Sequence, residues 1–380
     1  MDPIDTLLTR GIANIIPNHE ELEKVLRSDK KLNIYLGIDP TSVHIHLGHA
    51  VPLRKLQTFV DLGHHVTFLI GDFTALIGDT SDKDTERPVL IREQIEANFQ
   101  TYKAQASKFL DFSKVTVVHN SDWLSKLNFE DIIQLCHHFT LNDFISRELI
   151  KKRLTEGSSI SLPEALYPVM QGYDSWYLDT DLQLGGTDQT FNMQAGRVLQ
   201  KKLRGKESFV MTNVFLEGTD GRKMSKSWGN AIWLDDPPEE IYGKVMSIND
   251  NLLEQYFLLG TNLPVPDLSN PLLAKKALAY EITKELHDEF AAQLAQENFE
   301  NTVQHREVPT NIPEFHLDTP VDIIKALVAT GLADSNSSAR RLIEQKGVKI
   351  NGVVASLQSS VVNNDTISVG ARRFVKIVAI

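Results

Sequence analysis

The apolar residues of the N-terminal half come in short unbroken runs separated by stretches of helical period. NIYLGI (33–38) and HVTFLIG (65–71) have strand length, and between them HAVPLRKLQTFVDLG keeps its apolar positions three and four apart and stops on Gly63. RPVLIREQIEANFQTYKAQASKFLDF is a long amphipathic helix pattern, and KVTVVHN after it is another strand run. TDLQLGGTDQTFNMQAGRVLQKKL again reads strand, glycine turn, helix. Apolar strands alternating with helices predict a parallel, doubly wound α/β sheet, because helices then cover both faces of each strand.

From about residue 230 the period changes. PPEEIYGKVMSI, NLLEQYFLLG and PLLAKKALAYEITKELHDEFAAQLAQENFEN are helical with few strand signals. REVPTNIPEFHLDTP has three prolines and no clear period, which makes it the best linker candidate. Beyond it VDIIKALVATGLADSNSSARRLIEQKG predicts two short helices, the second begun by DSNSS, and VKINGVVA, TISVG and RFVKIVAI predict short strands. The N-terminal MDPIDTLLTRGIANIIP begins acidic, lacks a secretory core and is read as part of the fold.

Composition narrows the class. A chain of 380 residues, 42% hydrophobic and 23% charged, has room for two or three domains with a buried core. No apolar run reaches the roughly 18 residues of a membrane span, so no membrane partner is expected. Cys136 is the single cysteine, which excludes an internal disulfide or a cysteine zinc site and fits a reducing, cytoplasmic setting. The net charge of -11 argues against indiscriminate coating of nucleic acid, yet residues 316–380 carry eight Lys/Arg against five Asp/Glu, +3, which leaves -14 on residues 1–315. An acidic body with a basic tail suggests a localised polyanion contact; a chance fluctuation stays open on charge alone.

The densest chemistry lies in YLGIDPTSVHIHLGHA (35–50), with histidines at 44, 46 and 49. The stretch reads strand, loop, helix, so His46 and His49 fall at a helix start, where unpaired N–H groups and the positive dipole end favour a phosphate. Gly48, without a side chain, would let a flat group such as a purine approach the backbone. Zinc ligands and structural histidines are the competing readings; HExxH is absent. Independently, GRKMSKSWGN (221–230) sets Lys223 and Lys226 three apart in a loop with glycine and serine, suited to charge on a polyphosphate, though a solvated basic loop would look the same. A fixed pentamer such as KMSKS arises by chance in a chain of this length about once in 10⁴.

HxGH at a helix start (motif 44–50) with KMSKS (223–227) is the paired signature of class I aminoacyl-tRNA synthetases, and the chain resembles the bacterial-type tyrosyl-tRNA synthetases from about Thr6 to its C-terminus. YLGIDPTSVHIHLGH and KMSKS match the two family signatures, and GDFTALIGDTSDKDTER, YPVMQGYD and LQLGGTDQTFN match the blocks between them. The resemblance implies a Rossmann-like parallel-sheet catalytic domain (1–230), an α-helical anticodon-side domain with linker (231–315) and a small α+β RNA-binding domain (316–380). DSNSSARRLIEQKGVKINGVVA resembles the RNA-binding motif of small-subunit ribosomal protein S-four, which would turn Arg340, Arg341, Lys346, Lys349 and Asn351 toward RNA backbone.

The residue roles also follow from the resemblance. Tyr35 and Asp174 would meet the phenol hydroxyl of tyrosine, Asp79, Tyr167 and Gln171 its ammonium, and Gln189 its carboxyl group or the ribose. Tyr167, Gln171 and Asp174 are spaced to share one helix face, a spacing that core packing also produces. Thr41, His46 and His49 would contact ATP, and Lys83, Arg87, Lys223 and Lys226 would close on the leaving pyrophosphate. Gly37, Asp39, Gly48, Gly186, Asp188, Met224, Ser225 and Lys226 would line the nucleotide. ATP enters as a substrate with Mg²⁺, without a tightly bound protein-ligated metal. The implied function is tyrosine–tRNA ligase, with L-tyrosine, ATP and tRNA(Tyr) as partners, in a homodimer to which residues 121–150 could supply the interface. A tryptophan enzyme would also set a carboxylate near its indole N–H, so Asp174 alone does not decide; the C-terminal motif favours tyrosine. An RNA-binding or regulatory protein that keeps the fold without the activity is the alternative from another class.

Overall fold

The computed structural model describes residues 2–79, 91–145, 148–224, 228–301, 312–370 and 373–380, with the backbone alone at 148–149. These residues form two compact units, 1–237 with 244–286, and 238–243 with 287–380.

The larger unit is built on six strands, β1 (Ile12–Ile16), β2 (Asn33–Ile38), β3 (His65–Ile70), β4 (Thr116–His119), β5 (Leu182–Gly186) and β6 (Phe209–Asn213), in the order β1-β6-β5-β2-β3-β4. β2 to β6 are parallel and β1 closes one edge antiparallel to β6. The chain leaves β2 toward β3 and β4, then returns to place β5 on the other side of β2. Strand order therefore reverses at β2/β5, where the loops after the two strands part and open a crevice at their carboxyl ends. β2 and β3 are the apolar runs of the sequence; β1 and β6 are five-residue strands that patterning alone does not single out.

The helix after β2, Leu47–Asp61, turns Leu47, Ala50, Leu53 and Leu56 into the core and ends before Gly63, whose φ of +74° favours glycine. Two guanidinium groups, Arg54 of this helix and Arg10 of the N-terminal segment, converge on the end of the helix Leu253–Gly260. Arg54 donates to the Leu259 and Gly260 carbonyls at 3.1 and 2.8 Å and pairs with Glu285, while Arg10 donates to the carbonyls of Phe257, Leu258, Thr261 and Leu263. Together they satisfy the carbonyls left open at the end of the helix Leu253–Gly260 and put positive charge at its negative pole.

Helix Leu162–Tyr177 packs on helix Thr190–Arg204. A Cβ on Gly172 would lie 3.1 Å from the Ala195 backbone, and one on Gly196 would lie 2.7 Å from Gln183 and Ser175, so glycine at both positions permits the close approach. The helical stretch over 271–301 divides into Pro271–Leu286 and Glu289–Phe299, because Asp288 caps the second helix by accepting from Ala291 N at 2.7 Å.

In the smaller unit, helices Ile323–Ala329 and Asn336–Glu344 pack with a five-stranded sheet around Ile323, Leu327, Ala339, Ile343, Val348, Ile367 and Ile377. Ser335 of DSNSS caps the second helix, accepting from Ser338 N at 3.2 Å. The linker candidate is only partly irregular. Residues 302–311 lie outside the described residues, but Glu314–Leu317 is a strand that pairs in parallel with Arg373–Ala379. Its alternation in EFHL is too short to stand out between two prolines.

Candidate active site

The crevice gathers side chains from four loops. Asp39 follows β2, Gly71 to Thr74 follow β3, Asn120 follows β4, and Asp188 and Gln189 follow β5. Helix Leu162–Tyr177 supplies Tyr167, Gln171 and Asp174, and the short helix Ser121–Leu124 supplies Trp123.

A continuous buried hydrogen-bond chain runs through them. Trp123 Nε1 donates to Asp174 Oδ1 at 2.7 Å, and Asn120 Nδ2 donates to Asp174 Oδ2 at 3.2 Å and to Thr74 Oγ1 at 3.0 Å. Thr74 Oγ1 donates to Asp39 Oδ1 at 2.8 Å, and the Tyr167 hydroxyl donates to Asp39 Oδ2 at the same distance. Gln189 Nε2 donates to Asp79 Oδ2 at 2.7 Å. The Tyr35 hydroxyl donates to Gln183 Oε1 at 3.1 Å, and Gln183 is itself held by donating to the Met193 carbonyl.

Burial sets the electrostatics. It pushes Asp174 up to about 7; the Trp123 and Asn120 hydrogen bonds pull the other way, and the negative charges of Asp39 and Asp72 add to the rise. Tyr35 and Tyr167 are held well above the ordinary phenol range, by burial first and then by Asp174 for Tyr35 and by Asp39 and Asp79 for Tyr167. Both hydroxyls are therefore neutral hydrogen-bonding groups at any physiological pH.

The histidine loop forms the other side. His46 is the N-cap of Leu47–Asp61, its backbone N–H donates to His49 Nδ1 at 3.2 Å, and the two rings lie 4.1 Å apart. Backbone bonds from Leu47 to Ile232 and from Leu234 to Ile45 stitch this loop to the segment after KMSKS. Burial drives His46 down to about 2, helped by His49 and Lys223, and His49 down to about 4, where Lys223 adds to burial against the backbone hydrogen bond. The positive charge of Lys223 is thus felt at both rings, and its ammonium lies 5.2 Å from the centroid of the Phe215 ring. His44, in contrast, is exposed and points to Asp235 at 2.7 Å. Among the described residues no three His, Cys, Asp or Glu side chains group as metal ligands.

Two family descriptions match this chain. That of tRNA synthetases class I (W and Y) matches residues 27–304, and that of the tyrosine–tRNA ligase SYY-like C-terminal domain matches residues 304–375. The tyrosine–tRNA ligase of Thermotoga maritima is 41% identical over 98% of this chain and 96% of its own length, and that of Dehalococcoides mccartyi strain 195 is 42% identical over 99% and 98%. The chain belongs to the tyrosine–tRNA ligase family. It is an aminoacyl-tRNA synthetase, and the C-terminal match separates it from the tryptophan branch of the same class. The fold of the family extends to solved structures of low identity. A C-terminally truncated mitochondrial tyrosyl-tRNA synthetase of Aspergillus nidulans superposes with a TM-score of 0.65 at 24% identity over 80% of this chain and 93% of its own. The tyrosyl-tRNA synthetase of Archaeoglobus fulgidus, solved with L-tyrosine, gives 0.60 at 23% identity over 78% and 100%.

For this ligase-family chain the crevice brings together Tyr35, Asp39, Asp79, Tyr167, Asp174 and Gln189, with His46, His49 and Lys223 as a second group. Gln171 bonds the Tyr35 hydroxyl region and Thr41 N donates to the Asp39 carbonyl. Gly37 is exposed at the end of β2, Gly186 leads into Asp188, and Met224 is buried beside Lys223. Lys83 and Arg87, and Ser225 and Lys226, lie outside the described residues. In the smaller unit Arg340, Arg341, Lys346, Lys349 and Asn351 are all exposed, and Asn351 also closes a turn, with Nδ2 donating to Asp365 at 2.6 Å. Trp123, Asn120, Thr74 and Gln183 are the site residues that sequence reasoning missed. Gln183 had a signal, a lone amide inside an apolar strand. The other three are ordinary in sequence and gain their place only when β3, β4 and the 162–177 helix converge.

Proposed function

We propose that this site carries out both steps of the ligase reaction, with Asp174 and Tyr35 receiving the phenol hydroxyl of L-tyrosine. The observation that carries the reading is Asp174, a buried carboxylate held by the Trp123 and Asn120 donors, whose negative charge helps hold the buried Tyr35 phenol neutral. Such a carboxylate accepts an O–H at a fixed point, and phenylalanine would leave it desolvated and unpaired. Asp79, Tyr167 and Gln171 hold the ammonium group, and Gln189 orients Asp79 and reaches the carboxyl or ribose side.

The tyrosine carboxylate attacks the α-phosphorus of ATP; a P–O bond forms, the bond to the bridging oxygen breaks, and pyrophosphate leaves. The nucleophile is already an anion, so positioning and charge stabilisation do the work. Neutral His46 and His49 act as hydrogen-bonding groups. His46 Nδ1 is buried with no hydrogen-bond partner among the described residues, which suits an oxygen of ATP, and Thr41 lies on the same loop. Lys223 and Lys226, with Lys83 and Arg87, neutralise the pyrophosphate, which enters as part of the Mg²⁺ complex of ATP. Gly37, Asp39, Gly48, Gly186, Asp188, Met224 and Ser225 border the nucleotide. The terminal ribose hydroxyl of tRNA(Tyr) then attacks the aminoacyl carbonyl and AMP leaves.

The tail residues Arg340, Arg341, Lys346, Lys349 and Asn351 bind tRNA backbone, and we assign catalysis to 1–230, the anticodon side to 231–315 and RNA binding to 316–380, a functional division that does not coincide with the two compact units. Exposed Phe129, Ile133, Leu141 and Leu162 offer an apolar face to a second copy of the chain in a cytoplasmic homodimer. ATP–pyrophosphate exchange with each of the twenty amino acids tests the reading. Exchange with tyrosine alone is expected; exchange with tryptophan, or with none, overturns it.

A further inference from the structure

Asp174 is only as well placed as the indole that holds it, and the structure shows what holds the indole. Trp123 sits on Ser121–Leu124, a helix of one turn, and is 4% exposed. A single turn has little rigidity of its own, so the ring direction depends on its packing. One face of the indole is covered by Tyr177, with ring centroids 4.4 Å apart and planes 20° from parallel. Tyr177 is the last residue of helix Leu162–Tyr177, three positions beyond Asp174, so the helix that supplies the carboxylate also supplies the stacking ring. Tyr173 packs against the same cluster with its ring centroid 5.1 Å from that of Trp176, and the Arg204 guanidinium lies 4.8 Å from the Trp176 ring. The aromatic group is thus braced from the neighbouring helix Thr190–Arg204.

Tyr177 is 48% exposed, so one face of its ring covers the buried Trp123 indole while the rest of the side chain meets solvent. Its ring contacts among the described residues are with Trp123 and, at 6.3 Å between centroids, with Tyr173. We propose that Tyr177 is a positioning residue for amino-acid specificity: it clamps the Trp123 indole so that its N–H meets Asp174 and keeps the carboxylate aimed at the hydroxyl of bound tyrosine. The proposal rests on the reading of Asp174 as the hydroxyl acceptor. A loosened indole releases one of the two donors that fix Asp174, so tyrosine loses affinity and phenylalanine, which never used the carboxylate, does not. The clamp uses the ring and not its hydroxyl, so phenylalanine at 177 serves as well as tyrosine.

The test is steady-state ATP–pyrophosphate exchange on the full chain. Tyr177→Ala is expected to raise KM for tyrosine roughly three- to tenfold, the range of a lost aromatic stack, to lower the tyrosine-to-phenylalanine ratio of kcat/KM by a similar factor, and to leave KM for ATP within about twofold. Tyr177→Phe restores all three. Because the effect passes through the indole N–H, Tyr177→Ala added to Trp123→Phe changes little further. An unchanged tyrosine KM in Tyr177→Ala, or an equal effect with and without Trp123→Phe, overturns the proposal. If Tyr177→Ala melts too low to assay, Tyr177→Leu, which keeps apolar cover without the stack, is read in the same way. Asp174→Asn separates the two levels: if it alone weakens tyrosine, the clamp fails and the hydroxyl reading stands; if neither variant does, the hydroxyl reading fails.

Discussion

Replacing Asp174 by asparagine should stabilise the fold at alkaline pH while disabling the site. Asp174 is 2% exposed, and burial lifts it from 3.8 to about 7. At about 1.4 kcal/mol per pH unit, that difference makes the ionised carboxylate cost the fold about 4 kcal/mol above pH 7. The folded value lies above the unfolded one, so the stability is fully present below the unfolded value and is lost as pH rises through 7. Between pH 5 and pH 8 the wild type should therefore lose about 2.5 kcal/mol relative to Asp174→Asn. The substitution has its own penalty. Two N–H donors point at the carboxylate, from Trp123 and Asn120, and an amide can accept only on its oxygen while its NH₂ opposes the other donor, at a cost of about 1–3 kcal/mol. That penalty does not vary with pH, so the pH dependence isolates the buried charge. All four tryptophans, 123, 176, 228 and 233, lie in the larger unit, and urea unfolding followed by their fluorescence reports that unit directly. A variant-minus-wild-type difference that is the same at pH 5 and pH 8 would falsify the assignment of a buried titrating carboxylate. In the same samples tyrosine-dependent exchange at pH 8 should fall about 10- to 100-fold, the worth of a hydrogen bond to a charged group.

Gly48→Ala should separate stability from activity in the opposite sense to a core mutation. The new Cβ would lie 3.0 Å from His46 Nδ1 and 3.1 Å from Cε1, so the ring must move; kcat for adenylate formation should drop roughly tenfold, tyrosine KM should hold, and the melting temperature should not fall, since alanine suits a helix better than glycine. Because His46 and His49 are held at about 2 and 4, kcat/KM for ATP should show no imidazole inflection near 6.5; an inflection abolished by His46→Gln would refute their neutral role. Deleting residues 312–380 should spare pyrophosphate exchange and cripple tRNA charging; equal survival of both would remove the tail from tRNA binding.

The alternation of strand and helix, the start of the histidine helix and the Ser335 cap were legible because each is written in neighbouring residues. Local chemistry of this kind also singled out His46, His49 and Lys223. The spacing of Tyr167, Gln171 and Asp174 was ambiguous in one dimension, since a helix face that packs and a helix face that binds have the same period. β1 and β6 escaped notice because IANII and FVMTN sit beside no glycine turn into a helix of the kind that marks β5, so they are defined by their pairing with each other.

What the sequence alone determined is therefore a class I synthetase of the tyrosine family, its order of elements and the short motifs that contact a phosphate chain. Tertiary structure decided which side chains share a hydrogen bond. Asn120, Thr74 and Asp39 stand 46 and 35 positions apart along the chain, Trp123 stands 51 from Asp174, and Tyr35 stands 148 from Gln183. Only a sheet that sets the ends of β2, β3, β4 and β5 side by side can close those distances. Burial at that point then changes the chemistry of the groups themselves, leaving Asp174 poised near neutrality and both histidines uncharged, which no residue's identity or neighbour in sequence could have specified.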